Sequence, residues 1–272
     1  MKVCIITIGY ELLQGRVVNT NAAFLARKLT AMGHDVKLIA CVGDSYDDIS
    51  LILDTSIKTF DCDLIITTGG LGPTHDDITI DAIAKHFGLE MELNIEAEKE
   101  IEEKCRSKGL EVSEERLKMA YMPKGAKPIP NSVGMAPGMI LQIQIANKNI
   151  TLISLPGVPI EMQTMFEQHI ERILRGNRVL IESEILVEPG VEVQLMKVLK
   201  PLIKQWQKVY VKTHPEGLEE RNPRVRIYIA LYDDNRARGL NLCRQLSESL
   251  INEIVKKLNV KIKILKECSV LD

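Results

Sequence analysis

The chemistry in this chain concentrates at residues 67–77, where Gly69, Gly70, Leu71, Gly72, Pro73 and Thr74 are followed by His75, Asp76 and Asp77. Three glycines between a buried apolar run and a helix let the backbone approach a ligand and turn several N–H groups toward it. The start of the following helix adds positive partial charge, so a phosphate or pyrophosphate is the expected guest. The run lacks Gly-Lys-Ser/Thr and does not occupy a first strand-to-helix turn, so it is neither a Walker A loop nor a dinucleotide fingerprint. The plainer alternative is a tight turn in which Asp76 or Asp77 caps a helix.

Four carboxylates accompany this run: Glu11, Asp44, Asp76 and Asp77. Beside a phosphate site they would repel the ligand unless a cation lay between. Their hard oxygens suit a divalent metal (Mg, Mn or Co) that also touches substrate phosphates, polarises phosphorus and lowers the pKa of a bound water. Capping of helices by Asp44 and Asp76 is the alternative. No Gly-x-Ser-x-Gly marks a nucleophile elbow. The five histidines have no metal-ligand spacing, and only His75 lies in the glycine run. Met119, Met122, Met162 and Met165 read as core filler and Trp206 as a packing residue. Segment 212–224 reads as a loop that could form a binding surface.

These residues need elements to position them. Runs 3–8, 36–42 and 64–68 are short, apolar and rich in β-branched residues, and each ends at glycine. Helical spacing follows at 21–32, with Asn19, Thr20 or Asn21 as cap, then at 45–53 with Ser45 as cap, and at 78–87. Residues 94–122 read as helical and highly charged. Runs 139–145 and 150–155 flank Ala-Asn-Lys-Asn as a hairpin, and Pro156-Gly157-Val158-Pro159 leads into a helix over 160–174. Strands alternating with helices predict a three-layer α/β domain with a mostly parallel sheet and an antiparallel element at one edge. In such a sheet the loops after the strands meet at one edge, where ligands bind. From 177 to 272 the order βαββαβ predicts a smaller ferredoxin-like α+β domain. The expected division is therefore 1–175 and 177–272.

The composition sets outer limits. With 272 residues, 45% hydrophobic and 26% charged, the chain can bury a core without staples. The net charge of -2 supplies no field for nucleic acid, although residues 177–272 carry 17 basic and 13 acidic groups. No apolar run spans a membrane, and the start carries no leader pattern. Six cysteines without a Cys-x-x-Cys pair predict reduced thiols and a cytoplasmic setting.

Several segments together resemble the N-terminal, molybdopterin-binding-like domain of the CinA (competence/damage-inducible) family. They are Gly9-Tyr10-Glu11-Leu12-Leu13, Asn19-Thr20-Asn21, Val42-Gly43-Asp44, the run from Thr68 to Thr79, Gly134-Met135-Ala136-Pro137-Gly138 and Leu155-Pro156-Gly157-Val158-Pro159-Ile160-Glu161-Met162. The resemblance covers residues 1 to about 175. It implies a metal-dependent pyrophosphatase that converts ADP-ribose or a related nucleoside diphosphate sugar to AMP and ribose 5-phosphate. On that basis Glu11, Asp44, Asp76 and Asp77 hold the metal, with Asp76 and Asp77 catalytic. Gly69 to Thr74 hold the diphosphate, and Asn131, Gly134, Pro137, Gly138, Pro156 and Gly157 line the cleft. Many relatives carry Gly-Asp-Glu where this chain has Gly9-Tyr10-Glu11, which removes one carboxylate. Longer relatives add a C-terminal nicotinamide-nucleotide deamidase domain that this chain is expected to lack. Relatives also associate, so a homo-oligomer is expected. The same fold also serves molybdopterin binding and adenylylation, and a non-catalytic nucleotide-binding protein is a third reading.

Overall fold

In the computed structural model, residues 1–206, 208–218 and 221–271 are described, with 217, 218, 221 and 222 by their backbone alone. The chain divides into two units, Met1–Thr30 with His34–Arg175, and Ala31–Gly33 with Gly176–Asp272.

The first unit begins with β1 (Lys2–Ile8), α1 (Tyr10–Leu13), α2 (Thr20–Ala31), β2 (Asp35–Val42), α3 (Tyr46–Asp54), β3 (Leu64–Thr68) and α4 (Thr79–Phe87). It continues with β4 (Met91–Leu93), α5 (Ile95–Ser107), α6 (Glu114–Lys118), β5 (Tyr121–Pro123), β6 (Lys127–Ile129), β7 (Gly138–Ile145) and β8 (Lys148–Leu155). It closes with α7 (Pro159–Met165), a π-helical turn at Phe166–Ile170 and α8 (Glu171–Leu174). The main sheet has the order β2-β1-β3-β8-β7-β6, with parallel pairing from β2 through β8 and β7 antiparallel to both its neighbours. All five residues of β3 are buried, because helices cover both faces of a parallel sheet. Cys4, Ile6 and Ile8 of β1 pack in one cluster with Ile49 and Leu53 of α3 and Ile83 of α4.

Local signals act where they were expected. Asn19 Oδ1 accepts the Ala22 N–H at 3.1 Å, so Asn19 is the cap of α2. Ser45 Oγ accepts from Asp48 N at 3.4 Å and caps α3. The charged stretch 94–122 is not one helix: α5 stops before Gly109, at φ 63°, and the chain resumes as α6 and then β5, antiparallel to β4. The left-handed glycine ends the helix despite the favourable composition after it.

The second unit contains β9 (Val179–Glu188), α9 (Glu192–Gln205), β10 (Val209–Leu218), β11 (Arg221–Asp233), α10 (Arg236–Lys257) and β12 (Lys261–Val270). Its antiparallel order β10-β11-β9-β12 is ferredoxin-like. Ile185, Val187, Ile227 and Ile229 of the sheet pack on Leu195 and Leu199 of α9 and Leu250 and Ile254 of α10. The segment 212–224, read above as a loop, is instead mostly strand: Lys212 pairs with Tyr228 and Glu216 with Arg224, while 219 and 220 lie outside the described residues. Pro215 is tolerated because β10 is an edge strand, where a missing N–H breaks no second ladder.

The expectation of reduced thiols is corrected. Cys4 is joined to Cys62, and Cys243 to Cys268, leaving Cys41 and Cys105 free among the described residues. Cys62 lies just ahead of β3, which pairs with β1, so the fold brings its Cα to 6.1 Å from that of Cys4. Sequence spacing carries no sign of such pairing. Among the described residues no helix is long and apolar enough to cross a membrane.

Candidate functional site

The carboxyl ends of β1, β3 and β8 deliver their loops to one edge of the sheet and enclose a cleft of about 480 Å³. Glu11 and Asp44 line it, with Gly69, Gly70, Leu71, Gly72 and Pro73, then Asp76, Asp77, Pro156 and Gly157. Four segments far apart in sequence, after β1, β2, β3 and β8, thus supply its lining.

The glycine loop is tied down at both ends. Gly69 donates its N–H to Leu155 O at 3.0 Å, Thr79 Oγ1 donates to Gly69 O at 2.8 Å, and Thr79 N to Gly70 O at 3.1 Å. Gly69 has φ 110°, and a Cβ there would lie 2.1 Å from the Ile8 carbonyl oxygen, so only glycine fits. Among the described residues the N–H groups of Gly70, Leu71 and Gly72 have no protein partner. Consecutive free amides at the floor of a cleft form an anion cradle.

Beyond the cradle the loop folds back on itself. Asp77 Oδ2 accepts from Thr74 N at 2.9 Å and Thr74 Oγ1 at 2.5 Å, and the same hydroxyl also contacts Asp76. Lys118 Nζ donates to the carbonyls of Thr74 at 2.8 Å and Asp77 at 2.9 Å. The N-cap of α4 is Ile78, with no side-chain bond, so neither Asp76 nor Asp77 caps that helix. Asp44 does not cap the adjacent α3, which Ser45 caps; its Oδ2 accepts the N–H of Tyr10, the first residue of α1, at 3.0 Å. Capping thus accounts for neither Asp76 nor Asp77, and for Asp44 only through the start of α1. Tyr10 is half-exposed with its ring against Gly43, so it serves the site through its backbone. His75 points outward, with its side chain 99% exposed.

The carboxylates crowd one another unequally. Burial, reinforced by the charges of Glu11 and Asp76, raises the pKa of Asp44, against the pull of the Tyr10 amide. The Thr74 hydroxyl lowers that of Asp76. Among the described residues no three His, Cys, Asp or Glu side chains come close enough to form a metal cage. A cage of protein side chains alone is thus not found among them; one or two such carboxylates are what a magnesium-type cation needs where ligand phosphates and water complete its shell.

The remaining sequence-derived residues stand behind the wall. Thr74 holds Asp76 and Asp77 in place. Pro137 lines an adjoining recess with Gly70 to Gly72 and Lys118. Gly138 packs against the Ser154 carbonyl, where a Cβ would come within 2.7 Å. Pro156 O accepts from Thr68 Oγ1 at 2.7 Å and Gly157 O from Asn21 Nδ2 at 2.8 Å, which anchors the loop after β8. Asn131 is fully buried: Nδ2 donates to Ala136 O and to Glu161 Oε2, both at 2.8 Å, and Oδ1 accepts from Val133 N at 3.1 Å and Gly134 N at 2.8 Å. Gly134 lies directly beneath the Glu161 carboxylate. Glu161, Met119 and Met135 also line the cleft, and Lys118 pins its loop. Sequence reading put Glu161 in a rim loop and Met135 within the cleft-lining stretch 134–138 without a specific role for either, and gave Met119 and Lys118 no place at the site. The signal for Glu161 was its place on the same sheet edge; Lys118 has none, being 41 residues from Asp77.

Comparison with known proteins agrees with this fold. The family described as the probable molybdopterin binding domain matches residues 4–176. A protein from Caldivirga maquilingensis is 42% identical over 231 residues, covering 85% of this chain and 88% of its own. One from Pyrobaculum aerophilum is 42% identical over 255 residues, covering 93% of each. The crystal structure of the protein CinA from Thermoplasma acidophilum, described as of unknown function, aligns with a TM-score of 0.56 at 37% identity over 64% of this chain and 99% of that one.

Proposed function

The chain belongs to the family of the probable molybdopterin binding domain, CinA-like over its first unit, and from that premise we propose that its cleft binds a phosphorylated pterin of the molybdopterin class by its phosphate. The observation that carries the reading is the row of unpartnered amides at Gly70, Leu71 and Gly72 on the cleft floor. An N–H cradle at a strand-to-helix loop stabilises an anion without a side-chain cation. A divalent cation held by Glu11 or Asp44 together with ligand phosphate would neutralise the carboxylates around it. The test is equilibrium binding of inorganic pyrophosphate and of a pterin phosphate, with Mg²⁺, Mn²⁺ or Co²⁺ and with chelator. Binding that strengthens with the metal supports the reading; no binding of either probe by folded protein sinks it.

A second reading, hydrolysis of the pyrophosphate bond of ADP-ribose or a related nucleoside diphosphate sugar, draws on the crowding of Glu11 and Asp76 around Asp44. A pterin binder gains little from three acids beside its anion cradle, whereas a phosphoryl-transfer site uses a cation there for charge stabilisation. Release of AMP from ADP-ribose, dependent on metal and lost in the variant combining Asp76→Ala and Asp77→Ala, would favour this reading. Absence of AMP with intact pterin binding would remove it.

A further inference from the structure

We propose that Glu161 is the specificity-determining acceptor of the cleft and receives the N–H donors on the amino-pyrimidinone edge of the pterin, a proposal that rests on the pterin reading above. The side chain is placed from the protein interior. Asn131 Nδ2 donates to Glu161 Oε2 at 2.8 Å, and Asn131, fully buried, is itself held by its own backbone N–H donating to Glu100 Oε1 at 2.8 Å. The carboxylate rests on Gly134, where a Cβ would lie 2.0 Å from Oε2 and 2.5 Å from Oε1. The loop that carries α7 is anchored separately, by Thr68 to Pro156 O and Asn21 to Gly157 O. A carboxylate fixed from two sides in this way loses little entropy on meeting a ligand.

Its remaining valence faces the cleft. Among the described residues Oε1 accepts no hydrogen bond, and Oε2 keeps a second lone pair. Three kinds of partner could use them. A phosphate is repelled by the like charge. A cation would have to be shared with the ligand's own phosphate, since no group of three metal-binding side chains exists among the described residues. Neutral N–H donors need no such third party. The 2-amino group and the ring N3–H of a pterin lie parallel and match the two oxygens of one carboxylate, as carboxylates accept from base-edge donors elsewhere. Phosphate in the amide cradle and donor edge at Glu161 then place each end of the ligand against its opposite in the same cleft of about 480 Å³.

The test uses two fluorescent probes, 6-hydroxymethylpterin diphosphate and the matching lumazine, in which a carbonyl replaces the 2-amino group. Displacement by inorganic pyrophosphate establishes that each sits in the cleft. The intact protein should bind the pterin at least about tenfold more tightly, because the lumazine sets an acceptor against a fixed acceptor. Glu161→Gln keeps the shape and the bond from Asn131, and should cut that preference below about threefold. Gly134→Ala, which fills the seat of the carboxylate, should do the same and serves if Glu161→Gln fails to fold. Equal binding of the two probes by the intact protein, or an undiminished preference in both variants, overturns the assignment of Glu161 alone. Failure of pterin probe and pyrophosphate alike overturns the pterin reading and the assignment with it.

Discussion

Asn131→Ala tests whether the cleft wall is built as described. The side chain makes four hydrogen bonds, to Ala136 O, Glu161 Oε2, Val133 N and Gly134 N, at a residue with no exposed surface. Each neutral bond contributes about 1 kcal/mol net and the charged one rather more, so the substitution should cost about 4 kcal/mol. With a urea dependence of about 2 kcal/mol per molar, the unfolding midpoint falls by about 2 M. The assay is urea unfolding followed by far-ultraviolet circular dichroism. Trp206, the single tryptophan, lies in the second unit, so its fluorescence is a reference for that unit. Asn131→Asp sharpens the test. It keeps the acceptor for Val133 and Gly134 but sets a carboxylate against Glu161 and the Ala136 carbonyl, which raises its pKa in the folded state. The native protein then binds a proton more tightly than the unfolded chain, so the variant has its full stability at and below about pH 4, where the unfolded carboxyl titrates, and loses it as the pH rises from there through the raised native value. A loss under about 1 kcal/mol for the alanine variant, or no pH dependence for the aspartate variant, would refute the clamp.

The crosslink from Cys4 to Cys62 closes a loop with sequence separation 58, so its reduction should lower stability by about 4 kcal/mol on loop-entropy grounds, measured by urea unfolding with and without reductant after thiol counting by mass. Gly69→Ala drives a Cβ to 2.1 Å from the Ile8 carbonyl oxygen, and pyrophosphate binding should fall at least about tenfold; retained affinity in calorimetry would show that the cradle is elsewhere. Asp44 holds its proton above the ordinary 3.8, so cation binding must release it: cation affinity rises with pH just above that value, and Asp44→Asn flattens the slope, as titration in buffers of different ionisation enthalpy would reveal. Burial lowers the pKa of His34, whose Nε2 contacts Leu174 O at 2.6 Å; the folded state therefore binds fewer protons than the unfolded chain, and stability falls as the pH drops below 6.5, an effect that His34→Gln should abolish in thermal melts.

The parts of the fold legible in sequence are those set by local periodicity. β3 could be read to the residue because a strand buried on both faces carries no charge and here consists of apolar and β-branched residues throughout, and the glycines after it mark where the backbone must turn. The site edge followed, since strand polarity alone decides where the loops of a parallel sheet meet. What stayed hidden depends on contacts between distant segments. Cys4 and Cys62 are brought together only by the pairing of β1 and β3. Lys118 reaches the Thr74 carbonyl across 44 residues, from a stretch whose acidic and basic composition reads as solvated helix. Glu161 in the first turn of α7 reads as a favourable partner of the helix dipole, and only the buried Asn131 beneath it reveals a fixed acceptor.

The cleft makes two opposed electrostatic demands within a few residues of each other. Free amides at Gly70 to Gly72 call for negative charge, while Glu11, Asp44 and Glu161 call for hydrogens or a cation. An inorganic anion meets the first demand and aggravates the second; a cation does the reverse. Only a ligand of two characters, phosphate at one end and donors or a bridging cation at the other, relieves both together. Asp44 carries part of this demand: burial first, then the charges of Glu11 and Asp76, raise its pKa, and a cation arriving with the ligand would relieve the second of these. Affinity for the complete ligand should therefore exceed what its phosphate contributes alone, and pyrophosphate should bind more weakly than any pterin phosphate that reaches Glu161.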